Sequence, residues 1–254
     1  MTASGLRRIN LRVSKIHIMS TAPDEQTGFD RYACGYHSCL NQALAATGED
    51  TEYFARGRVR WMARALSQLN LKPASVLDFG CGTGTTAPLL LAELGCKKLV
   101  GVDSSLESIA EANRGHSRPE IQFLPLRDFH SQNQFDCVYC NGVFHHIPLR
   151  ERLAAMNLIH SALRPAGTFA LWENNPWNPG TRYVMSRCAF DEDAITLSTV
   201  EARHMLKQAG FEILRTDYLF YFPHALAFLR PLESMLHKIP LGGQYQILCR
   251  KTVD

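Results

Sequence analysis

Apolar residues in the middle of the chain fall into short runs separated by longer amphipathic stretches. Runs at 75–79, 98–103, 121–124, 135–140 and 168–173 are bounded by glycine, proline, asparagine or acidic residues. Apolar runs this short read as strands buried on both faces. Between them the apolar spacing becomes helical. One helix runs from about Thr85 to Gly95, with Pro88 in the first turn, where proline is tolerated. A second opens on Ser104 and Ser105, both capping residue types, and runs to about Asn113. A third runs from Pro148 to Leu163. Strands alternating with helices predict a parallel sheet covered on both faces. Right-handed crossovers then gather the loops after the strands along one edge, where ligands bind.

The flanks follow other patterns. Residues 29–46 predict a helix with Tyr32, Tyr36, Leu40 and Leu44 at intervals of four. Residues 47–50 break it, and Thr51 is the expected cap of a second helix to about Leu69. That helix turns Phe54, Val59, Met62, Ala65, Leu66 and Leu69 inward, and Arg56, Arg58, Arg60 and Arg64 largely outward. Downstream, 174–197 reads as an irregular insert, and Ser198 caps a helix to Gln208 that Gly210 stops. Residues 211–222 predict a long strand, 225–238 an amphipathic helix interrupted by Pro231, and 244–251 a closing strand. Leu226, Phe228, Leu229, Leu232, Leu236 and Ile239 give the penultimate helix a broad apolar face. Packing against the sheet edge is the expectation for it. Contact with a hydrophobic acceptor or a membrane surface is the alternative, since Arg230, His237 and Lys238 flank it.

Charge changes this picture little. The net charge of +3 arises because four of the 27 basic residues, Arg7, Arg8, Arg12 and Lys15, precede Met19 with no acid among them. The rest of the chain carries 23 basic against 24 acidic groups, which gives no electrostatic case for a nucleic-acid partner. Residues 1–28 are expected to form an extended or disordered arm, the first 18 being alternatively a targeting peptide or an extension before a start at Met19. Residues 29–254 are expected to form one domain, divided into cap helices (29–72), a cofactor-binding core (73–173) and a substrate-side insert with closing strands (174–254). No apolar run approaches the ~20 residues of a membrane span, so no stable membrane insertion is expected. The eight cysteines are scattered. Cys137 and Cys140 lie three apart on one strand and face opposite sides, a poor metal or redox pair. Buried free thiols in a reducing cytoplasm are the expected reading.

The most specific stretch is Val76-Leu77-Asp78-Phe79-Gly80-Cys81-Gly82-Thr83-Gly84. Glycines at alternate positions after a strand let a ligand approach the backbone, and the amides that follow become a helix N-terminus. A dinucleotide turn needs G-x-G-x-x-G, whereas this chain has Gly80-x-Gly82-x-Gly84 with Asp78 two residues earlier. Asp103 ends the second strand, 19 residues after Gly84, where a carboxylate can accept both hydroxyls of a ribose.

From about Arg58 to Lys251 the sequence resembles the class I S-adenosylmethionine-dependent methyltransferases of the small-molecule type. The motif at 77–84 is the most specific part of that resemblance. It implies an α/β, doubly wound, Rossmann-like sheet of seven mostly parallel strands with the last strand antiparallel, plus N-terminal cap helices. It implies S-adenosylmethionine as cofactor and S-adenosylhomocysteine as product. The turn residues Gly80, Cys81, Gly82 and Gly84, with Asp103 and Ser104, would hold the cofactor. Asp78 would order the turn or meet the methionine amino group. After the third strand such enzymes usually place an acid on the adenine. Here Arg127 stands at that position and Asp128 one residue later, with Phe129 a candidate to flank the ring. Asn141 and Gly142 open the segment 141–147, which resembles the family's fourth motif and would line the methionine end. Helices before the first strand would cover the cofactor, making Tyr32, Tyr36 and Arg58 candidates for its carboxylate or for substrate.

His145 and His146 follow the fourth strand and face the expected transfer site, where a neutral imidazole can take a proton from an acceptor hydroxyl. Some quinone-pathway relatives place a divalent metal near this position. No pair of carboxylates stands nearby in the sequence, so no metal is expected. Asn174-Asn175-Pro176-Trp177 looks like the amide-gripping loop of amino-methylating enzymes but follows the fifth strand rather than the fourth, which disfavours those substrates. Trp177 is expected instead to line the acceptor pocket. The sequence thus predicts methyl transfer to a small molecule, with oxygen the favoured acceptor atom, by a monomer or homodimer. The alternatives are a lipid- or quinone-headgroup methyltransferase at a membrane surface and a catalytically silent S-adenosylmethionine-binding partner subunit. An NAD oxidoreductase is weakened by the glycine spacing.

Overall fold

The computed structural model describes residues 36–188, 191 and 193–252. The predicted arm, Tyr32 and the first part of the first predicted helix lie outside the described residues, and Tyr36 is described as backbone alone. The chain opens with helices α1 (Tyr36–Leu44) and α2 (Thr51–Gln68). The alternating core follows: β1 (Ser75–Phe79), α3 (Ala87–Leu94), β2 (Lys98–Asp103), α4 (Leu106–His116), β3 (Ile121–Pro125), β4 (Phe135–Asn141), α5 (Leu149–Ala162) and β5 (Leu163–Asn174). The tail adds α6 (Pro179–Met185), α7 (Thr199–Gln208), β6 (Phe211–Leu219), a short helix α8 (Glu233–Leu236) and β7 (Gln244–Lys251).

The seven strands form one sheet in the order β3-β2-β1-β4-β5-β7-β6. β7 pairs antiparallel with both β5 and β6 and so runs against the other six strands. Side chains alternate across each strand, and two cores result. Leu77, Phe79, Val100 and Val102 pack on one face with Met156 and Ile159 of α5 and Ala202 and Leu206 of α7. Val76 and Leu99 pack on the other with Val59 and Met62 of α2, Leu90 of α3 and Ile109 of α4. Burial on both faces explains why these strands read as apolar runs rather than as alternating patterns. Cys137 and Cys140 fall in different cores, as their spacing predicted, and the six cysteines whose side chains are described are free thiols.

β1 and β4 lie side by side at the centre, with β2 beyond one and β5 beyond the other. The connections reverse direction there, which opens a crevice outside the carboxyl ends of β1 and β4. The loops leaving these strands touch: a Cβ on Gly80 would lie 2.2 Å from a methyl carbon of Val143. Gly80 also has φ +74°, so an L side chain there meets both backbone strain and a steric wall.

Some local expectations are corrected. Asp50, not Thr51, caps α2, its carboxylate accepting from the Tyr53 N–H at 2.8 Å. Arg58 is buried, whereas Arg56, Arg60 and Arg64 do face outward. The tail helix is a kinked 3-10 segment, His224–Leu232, followed by α8, and its apolar residues are not core. Leu226, Leu232 and Ile239 are exposed and Phe228 is 75% exposed. β6 ends at Leu219, before Phe220 adopts φ +64°. The cap of α7 is a reciprocal box: the Ser198 side chain accepts from Glu201 N–H, and the Glu201 carboxylate accepts from Ser198 N–H. No helix among the described residues is long and apolar enough to cross a membrane.

Candidate active site

Asp103, at the end of β2, ties the glycine turn to the next helix. Its carboxylate accepts from the N–H groups of Gly82 and Ser105, each at 2.9 Å, and Ser105 caps α4 through the Ser108 N–H. A carboxylate offers about four acceptor sites, so two backbone bonds do not exhaust its capacity for a ribose. Ser104 sits half-buried between these two residues. Gly82 has φ +52°, and a Cβ built there meets nothing within 4 Å. The turn therefore presents open space above its second glycine, the position where backbone must come close to a ligand. Gly84 closes the turn, its carbonyl accepting from Ala87 at the start of α3.

Asp78 is enclosed at the end of β1, and its Oδ2 is buried with no hydrogen-bond partner. Burial first, and then the nearby Asp103 carboxylate, push its pKa up to about 7. An orphaned carboxylate oxygen is costly, and an ammonium group beside it would remove the cost. The same environment pushes the Cys81 thiol well up, through burial and the two aspartates, so this cysteine is no reactive nucleophile. If the methionine ammonium settles on Asp78, binding S-adenosylhomocysteine must drive off the Asp78 proton. Calorimetry in buffers of different ionisation heat should find proton release approaching one per site near pH 6 and vanishing near pH 8. The sign follows from the raised folded value. Asp78 stabilises the ligand-free fold fully below the ordinary carboxylate value of 3.8, and that contribution is lost as pH rises through about 7. The stabilisation given by the ligand should grow over the same window. A proton count near zero at both pH values would rule out Asp78 as the ammonium's partner.

Beyond the carboxyl end of β4 lies a cavity of roughly 410 Å³. Arg58, Asn141, Gly142, His145, His146 and Asp191 supply its polar side, and Leu40, Leu44, Tyr53, Phe54 and Phe220 much of its apolar wall. Arg58 reaches it from α2: its Nε donates to the Tyr139 hydroxyl at 3.3 Å and its guanidinium to Gln244 at 3.0 Å. Tyr139 is the register partner of Asp78 in the sheet, so Arg58 reaches the same end of the crevice as Asp78. Burial raises the Tyr139 phenol to about 12 despite Arg58, which keeps it a neutral partner. Asn141 Oδ1 is buried without a partner at the same place.

The two histidines sit in a short 3-10 turn, Phe144–His146, whose placement depends on β5. Glu173, 1% exposed, accepts from the Phe144 N–H at 2.8 Å and meets His145 Nδ1 at 2.6 Å. The imidazole rings stand 4.0 Å apart. Asp191, from the insert, places one oxygen 3.5 Å from Nε2 of each. Burial opposes the His145 charge, but Glu173 and Asp191 outweigh it and raise this group to about 10. Burial and the charged His145 lower His146 to about 4.

Other predicted residues lie elsewhere. Phe129 is a core side chain packed 6.2 Å from the Phe135 ring and is not available to flank an adenine. Asp128 is exposed at the end of a 3-10 turn after β3. Trp177 is half exposed and does not line the cavity. The insert contributes through α6 instead, with Thr181, Tyr183, Val184 and Met185. Asn175 is wholly buried and donates to the carbonyls of Pro240 and Gly242, which tethers the insert to the tail. Glu173 and Asp191 were missed in the sequence. The first had a signal, an acid ending a buried apolar strand as Asp78 and Asp103 do. Asp191 had none, because the acidic triplet 191–193 reads as a solvated loop.

A doubly wound sheet whose first strand ends in an acid and a glycine turn, with a second acid ending the next strand, defines a domain that binds an adenosine-containing ligand. A family model described as a methyltransferase domain matches residues 50–216, and the chain belongs to this methyltransferase family. It is 28% identical over 182 residues to trans-aconitate 2-methyltransferase of Escherichia coli O157:H7 (strain EC4115 / EHEC), covering 67% of this chain and 71% of that one. The enzyme of the same name from Shigella dysenteriae is 27% identical over 188 residues, 70% of this chain and 73% of the other. Among solved structures, an S-adenosylmethionine-dependent methyltransferase from Mesorhizobium loti superposes with a TM-score of 0.56 at 19% identity, covering 78% of this chain and all of the other. A complex between the Haloferax volcanii Trm112 activator and its methyltransferase gives 0.63 at 17% identity, covering 91% and 100%. Both share the fold. The chain is an S-adenosylmethionine-dependent methyltransferase, and the seven-stranded sheet with one reversed strand is the predicted one.

Proposed function

We propose that the enzyme methylates an oxygen of a small molecule with a largely apolar body. The observation that carries this reading is the two-sided cavity: a wall of Tyr53, Phe54 and Phe220 faces a polar end made by His145, His146 and Asp191. The cofactor's methionine end would lie between Asp78, for its ammonium, and Arg58, for its carboxylate. Its sulfonium would then face the cavity beside Asn141 and Gly142. Methyl transfer is an in-line displacement, so the protein's contribution is chiefly alignment and exclusion of water. The curated relatives named above act, by their name, on trans-aconitate, which supports a small-molecule acceptor. Here Arg58 is the one lysine or arginine lining the cavity among the described residues, and we assign it to the cofactor; the charge on His145 is already matched by Glu173 and Asp191. That leaves the acceptor end suited to a hydroxyl on an apolar frame rather than to several carboxylates.

The test is turnover with methyl-labelled S-adenosylmethionine and a panel of hydroxylated aromatic molecules, with trans-aconitate in parallel. Labelled methyl ethers are expected, with trans-aconitate the poorer acceptor. Label found only in a methyl ester or in an N-methyl product would displace the hydroxyl reading. Binding of S-adenosylhomocysteine with no transfer to any small molecule would favour a silent partner subunit. A second reading, a lipid or quinone headgroup as acceptor, is supported by exposed Phe228, Leu232, Met235 and Leu241 in the tail. Flotation with vesicles separates it, since an enzyme for soluble acceptors stays in the unbound fraction.

A further inference from the structure

One oxygen of Asp191 faces both histidines from beyond the usual hydrogen-bond length. One carboxylate oxygen, Asp191 Oδ1, stands 3.5 Å from His145 Nε2 and 3.5 Å from His146 Nε2. Hydrogen bonds between nitrogen and oxygen are about 2.7–3.2 Å long. That oxygen is buried with no hydrogen-bond partner, on a side chain only 6% exposed. Leaving such an atom unsatisfied costs roughly 1–3 kcal/mol or more, a cost that a cation bound between Asp191 and the two imidazoles would remove. A separation of 3.5 Å does match the edge of a coordination polyhedron. With metal–ligand bonds of about 2.0–2.2 Å, two donors at a near-tetrahedral angle stand about 3.4 Å apart. All three donor atoms lie within 4.8 Å of one another, and all three residues line the cavity.

We propose that His145, His146 and Asp191 bind a divalent metal ion of the zinc or iron(II) type, with a coordination position open to the acceptor oxygen. Two imidazoles and one carboxylate suit such ions better than magnesium or calcium, and three protein donors leave the open position of a catalytic centre. The surroundings are those of a metal ligand's support. Glu173 Oε2 holds His145 Nδ1 at 2.6 Å, which turns Nε2 toward Asp191 in the manner of a carboxylate–histidine–metal array. The Asp191 segment is pinned to the histidine turn, because Ile195 N–H donates to the His145 carbonyl at 2.9 Å. Buried Arg152 donates to the carbonyls of Ile147 and Ile195 and clamps both pieces together. The donors are thus fixed before any ion arrives, as a selective site requires.

The inference rests on the reading of the cavity as the acceptor site. A hydroxyl bound to the ion loses its proton to solvent more readily. Its oxygen lone pair then forms the O–C bond to the methyl group as the S–C bond breaks, and sulfur keeps the electron pair of the broken bond as the neutral thioether. No metal is expected from the sequence because no pair of carboxylates stands near the histidines there, and the fold brings up two, Glu173 from β5 and Asp191 from the insert.

The test uses the full chain, stripped with a chelator and titrated with Co²⁺ alone, followed by visible absorption. One Co²⁺ per chain is expected, with ligand-field bands and no thiolate charge-transfer band, which excludes the cysteines as donors. Asp191→Ala and His146→Gln should each weaken binding at least about 100-fold, and Glu173→Gln, which loses a supporting contact, about 10-fold or more. S-adenosylhomocysteine should still bind these variants, which shows that they fold; if Asp191→Ala does not, His146→Gln decides. Absence of saturable Co²⁺ binding, or binding undiminished in the folded variants, overturns the metal site. Hydroxyl methylation that continues unchanged under chelator overturns it too while leaving the methyltransferase reading intact. Failure of the wild type to bind S-adenosylhomocysteine would strike that reading instead.

Discussion

Gly82→Val is expected to abolish cofactor binding while the protein still folds. The glycine has φ +52°, and a Cβ there finds open space within 4 Å. The fold bears only the strain of a side chain in the left-handed region, about 1–2 kcal/mol. For a chain of this size that lowers the melting temperature by roughly 2–8 °C. The valine methyl groups would occupy the space through which the cofactor approaches the backbone, so no affinity for S-adenosylhomocysteine should be measurable by calorimetry. Gly80→Val provides the contrast. Its Cβ meets Val143 at 2.2 Å, and it should fail to fold rather than fail to bind. Cofactor affinity in Gly82→Val within about threefold of wild type would mean that the ligand does not lie over this turn.

Glu173→Ala should be the most destabilising single truncation near the site. The carboxylate is 1% exposed and holds both the Phe144 N–H and the His145 imidazole. Removing it strands a buried donor and takes the nearer of two carboxylates from the buried His145 imidazolium, a loss of about 3–5 kcal/mol. The melting temperature should fall by roughly 6–20 °C. Glu173→Gln retains an acceptor for Phe144 and should recover half of that loss or more. A fall of less than about 2 °C in the alanine variant would show that the histidine turn does not depend on β5.

The central sheet was legible because its strands are buried on both faces. Each strand is a short apolar run with polar ends, and the observed bounds of β1, β2, β7 and α7 are the predicted ones. The residues proposed to hold the cofactor stand out in the sequence as well, because Asp78, the glycine turn and Asp103 are local signals, each at the carboxyl end of a strand. Of the proposed acceptor side only His145 and His146 were legible, because its other residues become neighbours only through tertiary structure. Arg58, a candidate only through the family resemblance, reads from its helical spacing as outward-facing, and Tyr139 and Gln244, 81 and 186 residues away, draw it inward. Asp191 meets the histidines across 46 residues. Phe129 went the other way: an aromatic side chain beside a ligand-binding loop is taken into the core by Phe135. The apolar stripe of 225–238 reads as a buried face, yet Pro231 and the kink at Leu226 leave much of it exposed.

The central claim is that the glycine turn and the cavity form one site, with the methyl donor's sulfur at their junction. A crystal structure of the S-adenosylhomocysteine complex tests it most directly. The ribose hydroxyls should lie on Asp103 and the amino-acid end between Asp78 and Arg58. The sulfur should open onto the cavity beside Asn141 and the histidine pair. Ligand bound away from the glycine turn, or a sulfur walled off from His145 and His146, would contradict it.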